Sequence, residues 1–74
     1  MPINYNKLKG RIVEKCGTQG EFARRMSLSE RTVSLKLSGQ IPFKQPEILK
    51  AVEVLDLAHE DIQAYFFAVE VKGF

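Results

Sequence analysis

Apolar side chains recur at helical spacing along most of this chain. Leu8, Ile12 and Cys16 follow one another every four residues, a spacing that predicts a first helix over residues 5–16. Gly17 then stands where a left-handed residue commonly ends a helix. Two later groups of apolar residues at helical spacing predict two further helices. The first group is Ile48, Leu49, Val52 and Leu55, and the second is Ile62, Tyr65 and Phe66. The chain is therefore predicted to be all-α.

Two short helices are predicted between these stripes. Thr18 with Glu21 three residues later is typical of a capping box, in which each side chain accepts from the other residue's amide at a helix start. Ser29 is the expected N-cap of a third, mostly polar helix over residues 30–37, which Gly39 ends. A short helix, a turn and a polar helix form the layout of a helix-turn-helix.

The remaining segments are a loop and a tail. Residues 40–46 contain two of the three prolines, which predicts a loop. Residues 67–74 begin with apolar side chains at every second position, which predicts a short C-terminal strand, although no internal partner strand is evident. We expect a single domain over residues 1–74, with its helical core over residues 5–66.

The net charge of +2 is unevenly distributed along the chain. Residues 1–45 carry nine basic and three acidic side chains, a net of +6, whereas residues 46–74 carry two basic and six acidic ones, a net of −4. The basic half predicts a surface that faces a polyanion, and the acidic half predicts a different role.

Other classes of function find little support. The single cysteine, Cys16, cannot form an internal disulfide, and without a Cys/His cluster no metal or cofactor is predicted. A domain of 74 residues buries only about 60% of the surface of its unfolded chain, which leaves little room for a substrate pocket and argues against an enzyme. No apolar run reaches the roughly 18 residues that span a membrane, and no signal peptide is evident, so we expect a cytoplasmic protein.

The segment QGEFARRMSLSERTVSLKLSG, residues 19–39, resembles the helix-turn-helix of the phage Cro and CI repressor family. The matching residues are Gln19, Phe22, Ala23, Met26, Leu28 and Val33. A small side chain at Ala23 lets two helices cross closely, and the apolar residues fill the space beneath the crossing. The resemblance implies a five-helix, lambda-repressor-like DNA-binding domain whose third helix enters the major groove.

Two positions depart from the family pattern. Ser27 stands where the family often has glycine, at a cost of about 1 kcal/mol if the backbone is left-handed there. Lys36 stands at the next buried position after Val33, and Leu37 offers the apolar side chain instead. Helix 3 is therefore either rotated slightly or shorter at its end, and the roles of Leu35 and Lys36 depend on which holds.

The resemblance also implies roles for individual residues. Arg31 can donate to O6 and N7 of guanine, Glu30 can accept from the amino group of cytosine, and Leu35 can contact a thymine methyl. Gln19, at the start of helix 2, would bind a phosphate with the help of the helix dipole. The base-reading set is Glu30, Arg31, Thr32, Ser34 and Leu35, and the phosphate set is Gln19, Lys36, Ser38 and Lys44.

Each role has a structural alternative. Glu30 can serve only to stabilise the positive end of helix 3, and Leu35 can be a core residue. Arg24 and Arg25 are expected to form a solvated face. Residues 67–74 are either a dimer contact or a frayed end over the domain's own core.

The predicted function is a Cro-like repressor, phage or prophage encoded, in the cytoplasm of a bacterial host. It would bind palindromic double-stranded operator DNA as a homodimer through helix 30–37, with residues 67–74 as a candidate dimer contact. No small-molecule substrate and no membrane partner are predicted. Two alternatives stay open: an antitoxin that represses its own operon, and a helical adaptor that binds proteins but not DNA.

Overall fold

The computed structural model describes residues 3–68. Within them lie five α-helices, with a 3-10 turn before the last. Their bounds are α1 Asn6–Cys16, α2 Gln19–Met26, α3 Glu30–Leu37, α4 Gln45–Val54 and α5 Ile62–Phe66, and the 3-10 turn spans His59–Asp61. The all-α, five-helix prediction is confirmed, and none of these helices is long and apolar enough to cross a membrane.

The helix ends follow the predicted local chemistry with one exception. Gly17 follows α1 with a φ of 83°, a positive value that glycine adopts without strain. The Thr18 hydroxyl accepts from the Glu21 amide at 3.1 Å, and the Ser29 hydroxyl accepts from the Thr32 amide at 3.1 Å. The reciprocal half of the predicted capping box does not form, because the Glu21 carboxylate instead faces two arginines of its own helix.

The loop predicted over residues 40–46 is shorter than expected. Helix α4 begins at Gln45, and Pro46 lies in its first turn. Proline is tolerated there because an amide in the first turn has no partner within the helix. The Glu47 carboxylate accepts from the Lys44 amide at 2.8 Å, which closes the start of the helix.

Each helix contributes to one core, and so does the loop between α3 and α4. The buried apolar residues are Tyr5, Leu8, Ile12, Phe22, Ala23, Met26, Val33, Leu37, Ile48, Ala51, Val52, Leu55 and Phe66. The ring of Phe43 packs edge-on between Tyr5 and Phe66, with ring centroids 5.4 and 5.3 Å away. The loop is therefore fixed against the core, and α4 begins at a defined place relative to α3.

Arg11 joins α1 to the end of α4. Its Nε donates to the Leu55 carbonyl at 3.0 Å, and its Nη2 donates to the Asp56 carbonyl at 3.0 Å. Carbonyls at a helix end lack partners within the helix, and a cation there also favours the negative end of the helix dipole. This basic side chain therefore stabilises the fold.

The start of the chain lies beside the end of α5. The Asn4 amide donates to the Ala68 carbonyl at 2.7 Å. The segment predicted as a strand therefore has an internal backbone partner at Ala68, where the sequence predicted none. The predicted strand and dimer contact at residues 67–74 fall almost wholly outside the described residues.

Candidate functional site

Helices α2 and α3 cross as the sequence predicts. Phe22, Ala23, Met26 and Val33 are buried at the crossing, and Leu28 is half-buried against them. A larger side chain at position 23 would push the helices apart, because protein interiors are close-packed. The packing beneath the crossing thus fixes how the outer face of α3 is presented.

The turn between α2 and α3 starts from a left-handed serine. Ser27 has φ 60° and ψ 37°, and its amide donates to the Arg24 carbonyl at 3.1 Å. The Leu28 amide donates to the Ala23 carbonyl at 2.9 Å, so two carbonyls at the end of α2 are paired. The backbone is therefore left-handed at Ser27, with a side chain where glycine would avoid strain.

The predicted base-reading residues divide into two groups. Glu30, Arg31 and Ser34 are exposed on α3, whereas Thr32 and Leu35 are half-buried. Thr32 also takes part in the N-cap, because the Ser29 hydroxyl bonds to its hydroxyl at 2.8 Å. We call the surface formed by Gln19, Gly20, Glu30, Arg31 and Ser34 the α2–α3 face.

Three of the four predicted phosphate contacts lie at the surface. Gln19 and Lys44 are exposed, and so is Ser38, whose hydroxyl donates to the Leu35 carbonyl at 3.0 Å. Lys36 differs because its residue is only 3% exposed. A phosphate cannot reach that ammonium unless the fold opens. Lys36 is therefore not a phosphate contact in this structure.

The Lys36 ammonium has partners inside the fold. It lies 2.7 Å from Oε1 of Glu47, donates to the Pro42 carbonyl at 2.9 Å, and stands 5.7 Å from the centre of the Phe43 ring. Burial raises the pKa of Glu47, but hydrogen bonds from Lys36 and from the Lys44 amide outweigh it and hold that pKa below its ordinary value. The pair joins α3 to the start of α4.

Half of the other cations of the basic half also pair with carboxylates. Arg24 and Arg25 of α2 both donate to the Glu21 carboxylate, at 2.9 and 2.8 Å. Hydrogen bonds from Arg24 and then Arg25 lower the pKa of Glu21 to about 2. Lys15 lies 3.9 Å from an Asp56 carboxylate oxygen. The +6 of this half therefore overstates the positive charge available to an external polyanion.

Glu30 lies against the first turn of α2. A methyl group added at Gly20 would stand 3.1 Å from Cδ of Glu30, and closer still to its Oε1. Gly20 thus leaves the space that the carboxylate fills. Sequence reasoning missed this contact, and it also missed the Glu47 partner of Lys36. The signal for the second was a lysine at a buried position, since a buried charge requires a counter-charge.

A shallow apolar groove of about 410 Å³ lies away from the α2–α3 face. It is lined by Phe43, Gln45, Ile48, Leu49, Ile62 and Phe67. None of the residues predicted to contact DNA lines it. Among residues 3–68, no group of three or more His, Cys, Asp or Glu side chains is placed to hold a metal ion.

The crossing helices, the turn and the exposed start of α3 define a small helix-turn-helix domain. Over residues 1–69 the chain matches the family described as "Protein of unknown function (DUF739)", and it belongs to that family.

The fold is similar to the solution structure of the modulator of repression (MOR) of the temperate bacteriophage TP901-1 from Lactococcus lactis. The TM-score is 0.80 at 56% identity, covering 95% of this chain and 97% of that one. No curated protein matches the chain. The comparisons therefore indicate a phage regulatory protein, and neither names the Cro and CI family.

Proposed function

We propose that this chain modulates repression in a temperate phage by acting with a repressor protein at operator DNA. The observation that carries the proposal is the 56% identity, over 95% of the chain, to a modulator of repression. We assign the α2–α3 face to this contact, since it presents Glu30, Arg31 and Ser34 on a scaffold whose geometry the buried crossing fixes.

The charge distribution supports a protein partner over DNA alone. Of the nine basic residues in positions 1–45, five form ion pairs with carboxylates among residues 3–68. The other four are Lys7, Lys9, Arg31 and Lys44. Only Arg31 and Lys44 belong to α3 or the loop after it. Because DNA affinity grows with the number of phosphates neutralised, so few cations predict weak binding by one copy of the chain.

Direct reading of DNA is the second candidate function, and the exposed start of α3 favours it. In that case Arg31 would contact guanine, with Glu30, Thr32, Ser34 and Leu35 as further base contacts. Gln19, Ser38 and Lys44 would then contact phosphates, and two copies would bind a palindromic operator.

A gel-shift experiment with three arms separates the two candidates. An operator fragment is titrated with the repressor encoded in the same phage genome, with this chain, and with both together. We expect the chain alone to leave the fragment unshifted at concentrations that change the repressor's apparent affinity at least tenfold. A shift of a palindromic fragment by the chain alone would favour direct reading. An unchanged repressor titration would refute the modulator proposal.

A further inference from the structure

The first turns of α2 and α3 meet at a carboxylate. The Glu30 side chain is exposed, and its Cδ lies 3.1 Å from the point where a Cβ of Gly20 would stand. Gly20 is the second residue of α2, so the carboxylate lies beside the positive end of that helix. No hydrogen bond or ion pair of Glu30 is present among residues 3–68, so no cation of this part of the chain contacts its carboxylate.

This carboxylate opposes a nucleic-acid contact at the same place. The start of α2 is where a phosphate would bind in a helix-turn-helix, with Gln19 beside it. A carboxylate beside the first turn of α2 repels a phosphate that binds there, and the two cations of α2, Arg24 and Arg25, are already bound to Glu21. The α2–α3 face therefore combines a helix-turn-helix shape with an anion beside the start of α2.

We propose that Glu30 is a specificity-determining residue that lowers the affinity of the α2–α3 face for DNA and thereby leaves that face to a protein partner. This inference rests on the proposed function, because it assigns the face to the repressor contact. The inference predicts that Glu30 weakens DNA binding, whereas the cytosine contact that the resemblance implied would strengthen it. Removing the charge should strengthen DNA binding if Glu30 repels phosphates, and should weaken it if Glu30 reads a base.

The test measures binding of the full chain to a fluorescent mixed-sequence duplex of about two helical turns at about 50 mM salt. Glu30→Gln keeps the side-chain shape beside Gly20 and removes only the charge. The matched control is Glu53→Gln, which makes the same change in net charge at an exposed position on α4. Fluorescence anisotropy gives the dissociation constants, and circular dichroism confirms that both variants are folded.

We expect Glu30→Gln to lower the dissociation constant about three- to tenfold, and Glu53→Gln to change it less than twofold. The gain should shrink at about 200 mM salt, because screening weakens the repulsion. The proposal is overturned if Glu30→Gln binds no tighter than the parent, if neither protein binds, or if the control gains as much.

The repressor titration keeps the two proposals separable. If Glu30→Gln leaves DNA binding unchanged while the parent still alters repressor binding, the role of Glu30 is wrong and the modulator function stands. If Glu30→Gln binds DNA more tightly while the parent has no effect on the repressor, the role of Glu30 stands and the proposed function is wrong.

Discussion

The buried pair of Lys36 and Glu47 gives a sharp prediction about stability. Its two side chains are unequally exposed, at 4% for Lys36 and 19% for Glu47. Removing one partner of a buried pair is costly because the other charge is left without compensation. The cost should therefore be larger when the lysine is left alone than when the glutamate is left alone, since water can reach the glutamate.

The magnitudes follow from this asymmetry. Glu47→Gln keeps one oxygen that can accept from Lys36 and from the Lys44 amide but removes the charge, so we expect a loss of about 2 kcal/mol. Lys36→Met keeps the length of the side chain, and the remaining carboxylate is partly hydrated, so we expect a loss of about 1 kcal/mol. The free energy of unfolding of a 74-residue chain is roughly 4 to 11 kcal/mol, so both losses are measurable.

Urea unfolding followed by circular dichroism measures both variants and the double variant. Because the two residues interact directly, the double variant should lose about 1 kcal/mol less than the sum of the single losses. In thermal unfolding, Glu47→Gln should lower Tm by about 8 to 16 °C. Additive losses, or a larger loss for Lys36→Met than for Glu47→Gln, would refute the reasoning.

The same pair should make the free energy of unfolding depend on pH in the acid range. The folded pKa of Glu47 lies below its ordinary value of 4.5, so its contribution is fully present above that pH and is lost as the pH falls through the lowered folded pKa. The stability gap between the parent and Glu47→Gln should therefore stay constant from about pH 7 to pH 5 and narrow below about pH 4.5. A gap that widens in acid would contradict the assigned partner.

Three further predictions concern the turn, the α2–α3 face and the end of α4. Ser27→Gly should raise the free energy of unfolding by about 0.5 to 1 kcal/mol, because φ is 60° there. The control Ser34→Gly, inside α3, should lower the free energy of unfolding by about 0.5 kcal/mol in the same urea titration. Changes of the same sign in both variants would contradict this explanation. Arg31→Ala should weaken the repressor complex by about 1 to 2 kcal/mol in calorimetry while stability stays within about 0.5 kcal/mol. Arg11→Met should cost about 1 to 2 kcal/mol in thermal unfolding, because two carbonyls after α4 lose their donor.

The helices could be predicted because their signals are local. Thr18, Ser29 and Gly17 act on amides and carbonyls within a few residues, and apolar stripes need only the helical period. The ion pairs of Glu21 with Arg24 and Arg25 were also within reach, since residues three and four apart on a helix are neighbours.

The site was less predictable because its decisive contacts cross between elements. Lys36 meets Glu47 only after the loop folds back over Phe43, and Glu30 meets Gly20 only where two helices converge. Both contacts involve a charge whose partner or environment is set by tertiary packing. Spacing therefore placed Lys36 and Glu30 on the correct helix. The external contact that the resemblance implied is wrong for the buried Lys36 and stays a prediction for the exposed Glu30.

The hydrogen bond between the Asn4 amide and the Ala68 carbonyl places the two ends of the described residues next to each other. A short glycine linker could join these two positions, and new ends could be opened in the exposed residues 38–40 that follow α3. Such a circular permutant would keep every helix intact, because loops and adjacent ends tolerate this change. It would also place the new chain ends after α3, where a fluorescent label could report on a partner that binds the α2–α3 face.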